Sequence, residues 1–211
     1  MVTDHIGKAF FPSAAIWQII GRIAFPIFAY CLVVGCLHTH SIKKYLLRLL
    51  IFAVIAQPVY VLNFYKSIEL FYNLNILFTL FFGAFAVYGL MDIRRRWWML
   101  FPCIAACLFL HIEYGTYGII LIVAFYVFRE SRWFSAIVCT LLLAQPFFQA
   151  PFIMVSGVAL GVQGFAVFAM PFICLRTDVK LKMNKYFFYA FYPAHILVIY
   201  FCKIIEVNLQ S

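Results

Sequence analysis

Long apolar runs, separated by charged or turn residues, divide this chain into eight candidate membrane spans at about 16–37, 45–62, 72–91, 97–110, 116–128, 134–148, 152–175 and 186–205. A helix needs about 20 apolar residues to cross a bilayer, fewer inside a bundle, so the fourth to sixth runs sit at the short end of that range. The pattern predicts an all-α fold, a polytopic transmembrane helix bundle of about eight spans. Five prolines fall inside the spans (Pro26, Pro58, Pro146, Pro171 and Pro193). Each removes a backbone hydrogen bond and predicts a kink that neighbouring groups must satisfy. No internal repeat or low-complexity linker interrupts the series, which predicts one domain over residues 1–211.

Composition turns this pattern into a statement about solvent. Of the 211 residues, 67% are hydrophobic and 11% charged, against about 25% charged in an average soluble domain. A chain of this size cannot hide so much apolar side chain in a water-soluble core, because its surface is too large relative to its volume. Lipid is therefore the solvent.

The formal charge of +9 comes from sixteen basic and seven acidic residues. The basic residues lie in short loops between spans, so the charge sets orientation and argues against a nucleic-acid partner. Taking every second loop as cytoplasmic puts Lys43, Lys44 and Arg48, then Arg94, Arg95 and Arg96, then Arg129 and Arg132, then Arg176, Lys180, Lys182 and Lys185 inside, twelve of the sixteen. Lys66 with Glu69, Glu113, and Lys203 with Glu206 then mark the outer side. This topology places both Met1 and Ser211 outside. No cleavable signal peptide precedes the first apolar stretch, so the outward start predicts a further helix ahead of residue 1. The seven cysteines lie in apolar runs without a CxxC pair or a nearby zinc-spaced histidine, and predict neither a disulfide framework nor a metal site.

Ionisable groups at membrane depth are costly to insert and mark functional sites by default. Asp4 and His5 in TDHIG, with Arg22 in IIGRIAFP, form the first set. A carboxylate beside an imidazole suits a general base, and an interfacial ion pair between helix ends accounts for the same residues. His195 in FYAFYPAHILVIY is the second, some nine residues into the last span, as a base or as a neutral bridge between helices. The third is the cytoplasmic edge of the first two spans, where His38, Thr39, Lys43, Lys44 and Arg48 suit a phosphate-bearing cofactor or anionic lipid headgroups. The fourth gathers Asn73, Asn75, Thr79, His111, Glu113 and Tyr114 on the outer side, residue types that also join helices by polar contacts. Gly157, Gly161 and Gly164 predict close helix packing in the seventh span. No Walker motif, GxSxG elbow, HExxH or dinucleotide fingerprint occurs, which excludes the soluble enzyme classes built on them. A small transporter has little support without paired half-sequences.

Taken in order, TDHIGKAFFP, IIGRIAFPIFAY, the HT ahead of KKYLLRL, NLNILFTLFFG, EYGTYGIILIVAFY and FYAFYPAHILVIY resemble the TraX family over nearly the whole chain. Asp4 and His5 match its DH pair, Gly21, Arg22, Phe25 and Pro26 its GR-AFP element, and Arg48 its RL element. Asn75, the Tyr114–Gly115 pair and His195 match the NILF, YG and closing motifs. The resemblance implies a multi-pass protein of the bacterial cytoplasmic (inner) membrane. It further implies an acetyl-CoA-dependent N-acetyltransferase acting on the N-terminal amine of a pilin or fimbrial subunit. The expected catalytic set is His5 as base, Asp4 as its charge partner, Arg22 or Asn75 as oxyanion donor and His195 as second base or relay. Lys43, Lys44 and Arg48 are expected to hold the phosphates of acetyl-CoA, and no metal is expected. The rival expectation is a non-enzymatic membrane factor that holds the subunit's apolar helix during fimbrial assembly. Family members carry a long apolar helix running into DHI, where this chain begins at MVTDHIG.

Overall fold

The computed structural model describes residues 2–11, 15–64, 72–148, 152–155, 158–175 and 185–210. Lys66, Glu69, Pro151, Gly157, Arg176, Lys180 and Lys182 lie outside the described residues. Contacts cluster the chain into two compact units, one of Met1–Cys31 with Ala124–Val179 and one of Leu32–Val123 with Lys180–Ser211.

In the first unit, α1 (Val2–Phe10) and the start of α2 (Ala15–His38) form an antiparallel pair. Small residues let the two backbones approach: a Cβ on Gly7 would strike Trp17, and one on Gly21 would strike the side chain and backbone of Asp4. Phe11 stacks on Trp17 at 5.8 Å between ring centroids beside the turn. Further along, Tyr30 meets Phe125 edge-on at the end of α7 (Gly115–Val127). The unit continues with α8 (Arg132–Ala144), whose N-cap Ser131 accepts a hydrogen bond from Phe134 N. Cys139 and Leu143 on α8 are fully buried.

A sequence expectation changes here. The run 152–175 reads as one helical span, yet it folds as an antiparallel pair β3 (Phe152–Val155) and β4 (Val158–Gly161), a 3-10 segment Val162–Phe168 and a short α9 (Ala169–Cys174). Val155 and Val158 are β-branched and flank a Ser-Gly step, which together favour a hairpin over a helix. Gly161 accordingly sits in the ladder opposite Phe152 and not at a helix crossing.

The second unit is organised around α3 (Ile42–Phe64), α4 (Ile76–Leu90) and α10 (Lys185–Gln210), with α3 packed against both others. The inward face of α3 carries Leu46, Leu49, Ala53, Ala56, Gln57, Tyr60, Val61 and Asn63. Its outward face carries Leu47, Ile51, Val54, Ile55 and Leu62. The polar groups thus point in and the aliphatic ones out, the reverse of a water-soluble amphipathic helix. That inversion identifies a membrane protein.

Between Leu90 and Leu110 the chain reverses through the four-residue α5 (Ile93–Arg96), a 3-10 turn Trp97–Met99 and α6 (Leu100–Phe109), with a bend of 117° between α4 and the segment Ile93–Phe109. Trp97 and Trp98 are exposed beside Arg94 and Arg95, the aromatic and cationic pairing of a membrane interface. Gly83 admits Ile122, bringing α4 against α7. Of the spans expected from sequence, Ile16–His38 and Ile42–Phe64 are long and apolar enough to cross by themselves, and the bent pair can count as one more. The helices Gly115–Val127, Trp133–Ala144 and Val162–Cys174 are shorter than a full crossing.

Candidate functional site

Asp4 and His5 lie on the first turns of α1 and are 4% and 2% exposed. Two features of the sequence put Asp4 against α2. Gly21 has no side chain to hold α1 away, and Arg22 follows it with a guanidinium long enough to reach the carboxylate. Arg22 Nη2 lies 3.2 Å from Asp4 Oδ1, with both side chains largely removed from solvent. Arg22 thus reaches Asp4 across the pair, and an Asp4 carboxylate oxygen and a His5 ring nitrogen lie within 4.8 Å of each other. The structure thereby gathers Asp4, His5 and Arg22, the ionisable residues of the DH and GR motifs.

In the second unit, Asn75 is fully buried and every polar atom of its side chain is engaged. Its Oδ1 accepts from Leu77 N and caps α4, while Nδ2 donates to Ala53 O at 2.9 Å and Gln57 Oε1 at 2.8 Å. Gln57 completes the cluster by accepting from Asn75 N at 3.0 Å and donating to Asn73 O at 2.7 Å. Pro58 follows directly and lacks an N–H, which takes the helical donor from Val54 O. Asn75 donates to the carbonyl one residue earlier, Ala53 O. With both Nδ2 hydrogens committed, Asn75 acts here as a positioning residue. Gln57 was not singled out in the sequence, where it is a neutral residue in the apolar run AVIAQPVYVL. The available signal was an amide directly before an intramembrane proline.

The outer polar stretch forms a small parallel sheet, β1 (Asn73–Leu74) beside β2 (His111–Ile112), in the register Asn73 to His111 and Leu74 to Ile112. Tyr72 stacks on His111 at 4.5 Å. Glu113 N donates to Leu74 O at 2.9 Å, and the Thr79 hydroxyl donates to Glu113 O. Tyr114 then adopts φ 64° and Gly115 φ 45°, so both residues of the YG pair are left-handed and turn the chain into α7. Left-handed geometry is routine for glycine and uncommon for tyrosine.

His195 lies on α10, donating from Nδ1 to Phe191 O at 2.7 Å, with its ring against Phe191 and Tyr192. Lys43 and Lys44 are exposed on the first turn of α3, and Arg48 is half-buried one turn further on. That row of cations can accept phosphate oxygens through charge-assisted hydrogen bonds. At the other end of α3, Lys203 Nζ donates to Asn63 O at 3.0 Å, and Asn63 Nδ2 donates to Ile196 O at 3.4 Å. Asn63 and Lys203 were likewise not anticipated as partners, because they are 140 residues apart.

Comparison with known proteins gives the chain its relatives. The chain is 27% identical to a protein of Dichelobacter nodosus named "Probable fimbrial assembly protein FimC, serogroup H1", over 223 aligned positions that cover 94% of this chain and 89% of the relative. No solved structure matches it significantly. The family described as TraX protein matches residues 1–203, which include the DH, GR, NILF, YG and closing motifs, and the chain belongs to that family.

Proposed function

We propose that this protein works in fimbria or pilus assembly at the bacterial cytoplasmic membrane, as an acyltransferase that moves an acetyl group from acetyl-CoA to the N-terminal amine of a pilin or fimbrial subunit. The observation that carries the chemistry is the buried Asp4–Arg22 ion pair with a buried histidine on the next residue. The assembly role is supported by the family and by the name of the Dichelobacter relative.

In this reading His5 takes a proton from the acceptor's ammonium group. The free amine attacks the thioester carbonyl, a C–N bond forms, and the C–S bond breaks as the thiolate leaves. The thiolate takes the proton from the imidazolium, and the amine's remaining excess proton goes to water. Arg22 stabilises the oxyanion through its guanidinium, a contribution of about 3 kcal/mol for one good donor. Asp4 keeps the guanidinium in place, Asn75 positions the start of α4, and His195 serves as a relay. Lys43, Lys44 and Arg48 bind the phosphates of acetyl-CoA on the cytoplasmic side, the orientation expected from the basic loops.

The test is the intact mass of the subunit when it is expressed with this chain. Acetylation adds about 42 Da, and His5→Ala is expected to abolish the increase. The rival reading, a non-enzymatic factor that holds the subunit, takes over if the mass is unchanged while the subunit still copurifies with the wild-type chain and with His5→Ala.

A further inference from the structure

The turn that reverses the chain between α4 and α6 is packed tightly onto α4. A Cβ on Gly89 would stand 3.3 Å from Met99 Cβ and 3.4 Å from Arg96 O. Asp92 O accepts from Arg95 N at 3.1 Å and from Arg96 N at 2.9 Å. Met99 is buried, and the Cys103 thiol donates to Phe82 O at 3.4 Å. Within this fixed turn, three consecutive arginines meet different surroundings. The Arg96 guanidinium lies 4.3 Å from the centroid of the Tyr88 ring and 3.9 Å from the Asp92 carboxylate. Arg94 and Arg95 are exposed, and among the described residues neither guanidinium meets a carboxylate. Two such cations at one turn of a membrane protein attract anionic headgroups, and the guanidinium fork matches phosphate oxygens in pairs.

The surface beyond Arg95 selects a lipid over a soluble phosphate. Trp97, Phe101, Ile104 and Leu108 recur at helical spacing and are 56%, 57%, 54% and 72% exposed, whereas Met99, Cys103 and Ala106 on the face toward α4 are buried. Trp97 meets Phe101 edge-on at 5.5 Å, which carries the outward stripe from the turn into α6. At 1.5 Å per residue, the run from Trp97 to Leu108 covers roughly 16 Å. That is the depth of one leaflet in a hydrocarbon core about 30 Å thick. Cations, then indoles, then aliphatic and phenyl groups follow the order of headgroup, interface and acyl chain.

We infer that the α4–α6 turn binds one anionic phospholipid, with its phosphate on Arg94 and Arg95, its glycerol level beside Trp97 and Trp98, and an acyl chain along Phe101, Ile104 and Leu108. Arg96 is a positioning residue: its contacts with Tyr88 and Asp92 fix the turn that presents the other two arginines. The site lies wholly within the second unit and does not depend on the acyl-transfer reading.

The test uses the full chain in phosphatidylcholine vesicles doped with a photoreactive lipid, either phosphatidylglycerol or phosphatidylcholine, carrying a diazirine on one acyl chain. After illumination, mass spectrometry of the digest compares adducts on residues 97–108 with adducts at Val54 and Ile55, exposed on the outward face of α3. After normalisation to that reference, the anionic probe is expected to label 97–108 at least about fivefold more than the neutral one, the contribution of a single surface cation. Arg94→Gln with Arg95→Gln should bring the ratio close to one while labelling of α3 is unchanged, and Arg94→Lys with Arg95→Lys should keep most of it. A ratio close to one in the wild-type chain overturns the site without recourse to any variant. An elevated ratio that survives the double glutamine substitution overturns the assignment to these arginines. Exchanging chloride for inorganic phosphate at equal ionic strength should leave the ratio in place, and its collapse would mark a site for soluble phosphate and overturn the lipid as occupant.

Discussion

Gly21 and Asp4 show how far a single atom matters in this protein. A methyl group on Gly21 would collide with the Asp4 backbone, so Gly21→Ala is expected to push α1 off α2. The overpacking cost is about 1–3 kcal/mol, read as a lower unfolding midpoint in detergent together with loss of subunit acetylation. Asp4→Ala is expected to be worse, about 3–5 kcal/mol, since it leaves the Arg22 guanidinium without its buried counter-charge. A double variant Asp4→Leu with Arg22→Met should regain most of that stability and none of the activity. Recovery of activity would remove Arg22 from the mechanism. His5→Ala empties a buried position, so a lower midpoint is expected with it, and the transfer rate should fall about 10²- to 10⁴-fold, the usual contribution of a general base. These residues were legible in the sequence because an ionisable group in an apolar run stands out. An ion pair between the helix ends was one of the two sequence readings of these residues, and it forms because Gly21 lets α1 and α2 approach.

At the scale of elements, the decisive feature is the interruption of helices by polar backbone. The start of α4 is held by Asn75, which caps its own helix and bonds to α3. Asn75→Ala removes the cap and takes the side-chain donor from Ala53 O, and about 2–4 kcal/mol of destabilisation is expected from the two effects together. Gln57→Leu should cost a similar amount by freeing Asn73 O and the amide of Asn75. A double-mutant cycle should then show strong coupling between positions 57 and 75, and additive effects would contradict the shared network. The apolar run at 45–62 was readable from sequence, but its inward face with Gln57 and Asn63 needed the partner helices to be known. The 152–175 run illustrates the limit from the other side. Apolar composition is the same for a buried strand and a buried helix, so hydropathy alone assigned a helix where β-branched residues and a Ser-Gly step make a hairpin.

For the whole molecule, charge and lipid set the frame. Arg94, Arg95, Trp97 and Trp98 are exposed at one turn, and Lys43 and Lys44 at another. The expected orientation puts both turns in the cytoplasm. Cysteines introduced at Lys44 and Arg95 should resist an impermeant thiol reagent in intact cells and react after permeabilisation, whereas one at His111 should react from outside. Reversed labelling would invert the orientation and move the basic row of α3 away from cytosolic acetyl-CoA. The contacts themselves divide the chain into two units that each draw on distant stretches of sequence. Asn63 with Lys203 in one of them, and Tyr30 with Phe125 in the other, show why: each unit is closed by segments that return after about a hundred residues.

The sequence by itself determined the solvent, the helical class, the family and the identity of the ionisable groups, because these follow from how many apolar residues must avoid water and where charges interrupt them. Tertiary structure decided that Gly21 brings Asp4 to Arg22, which amides cap and join the helices, and that Leu74 and Thr79 hold the backbone of Glu113. Those outcomes depend on side chains meeting across elements far apart in the chain, and hydrophobic pattern carries no information about which helix face meets which neighbour.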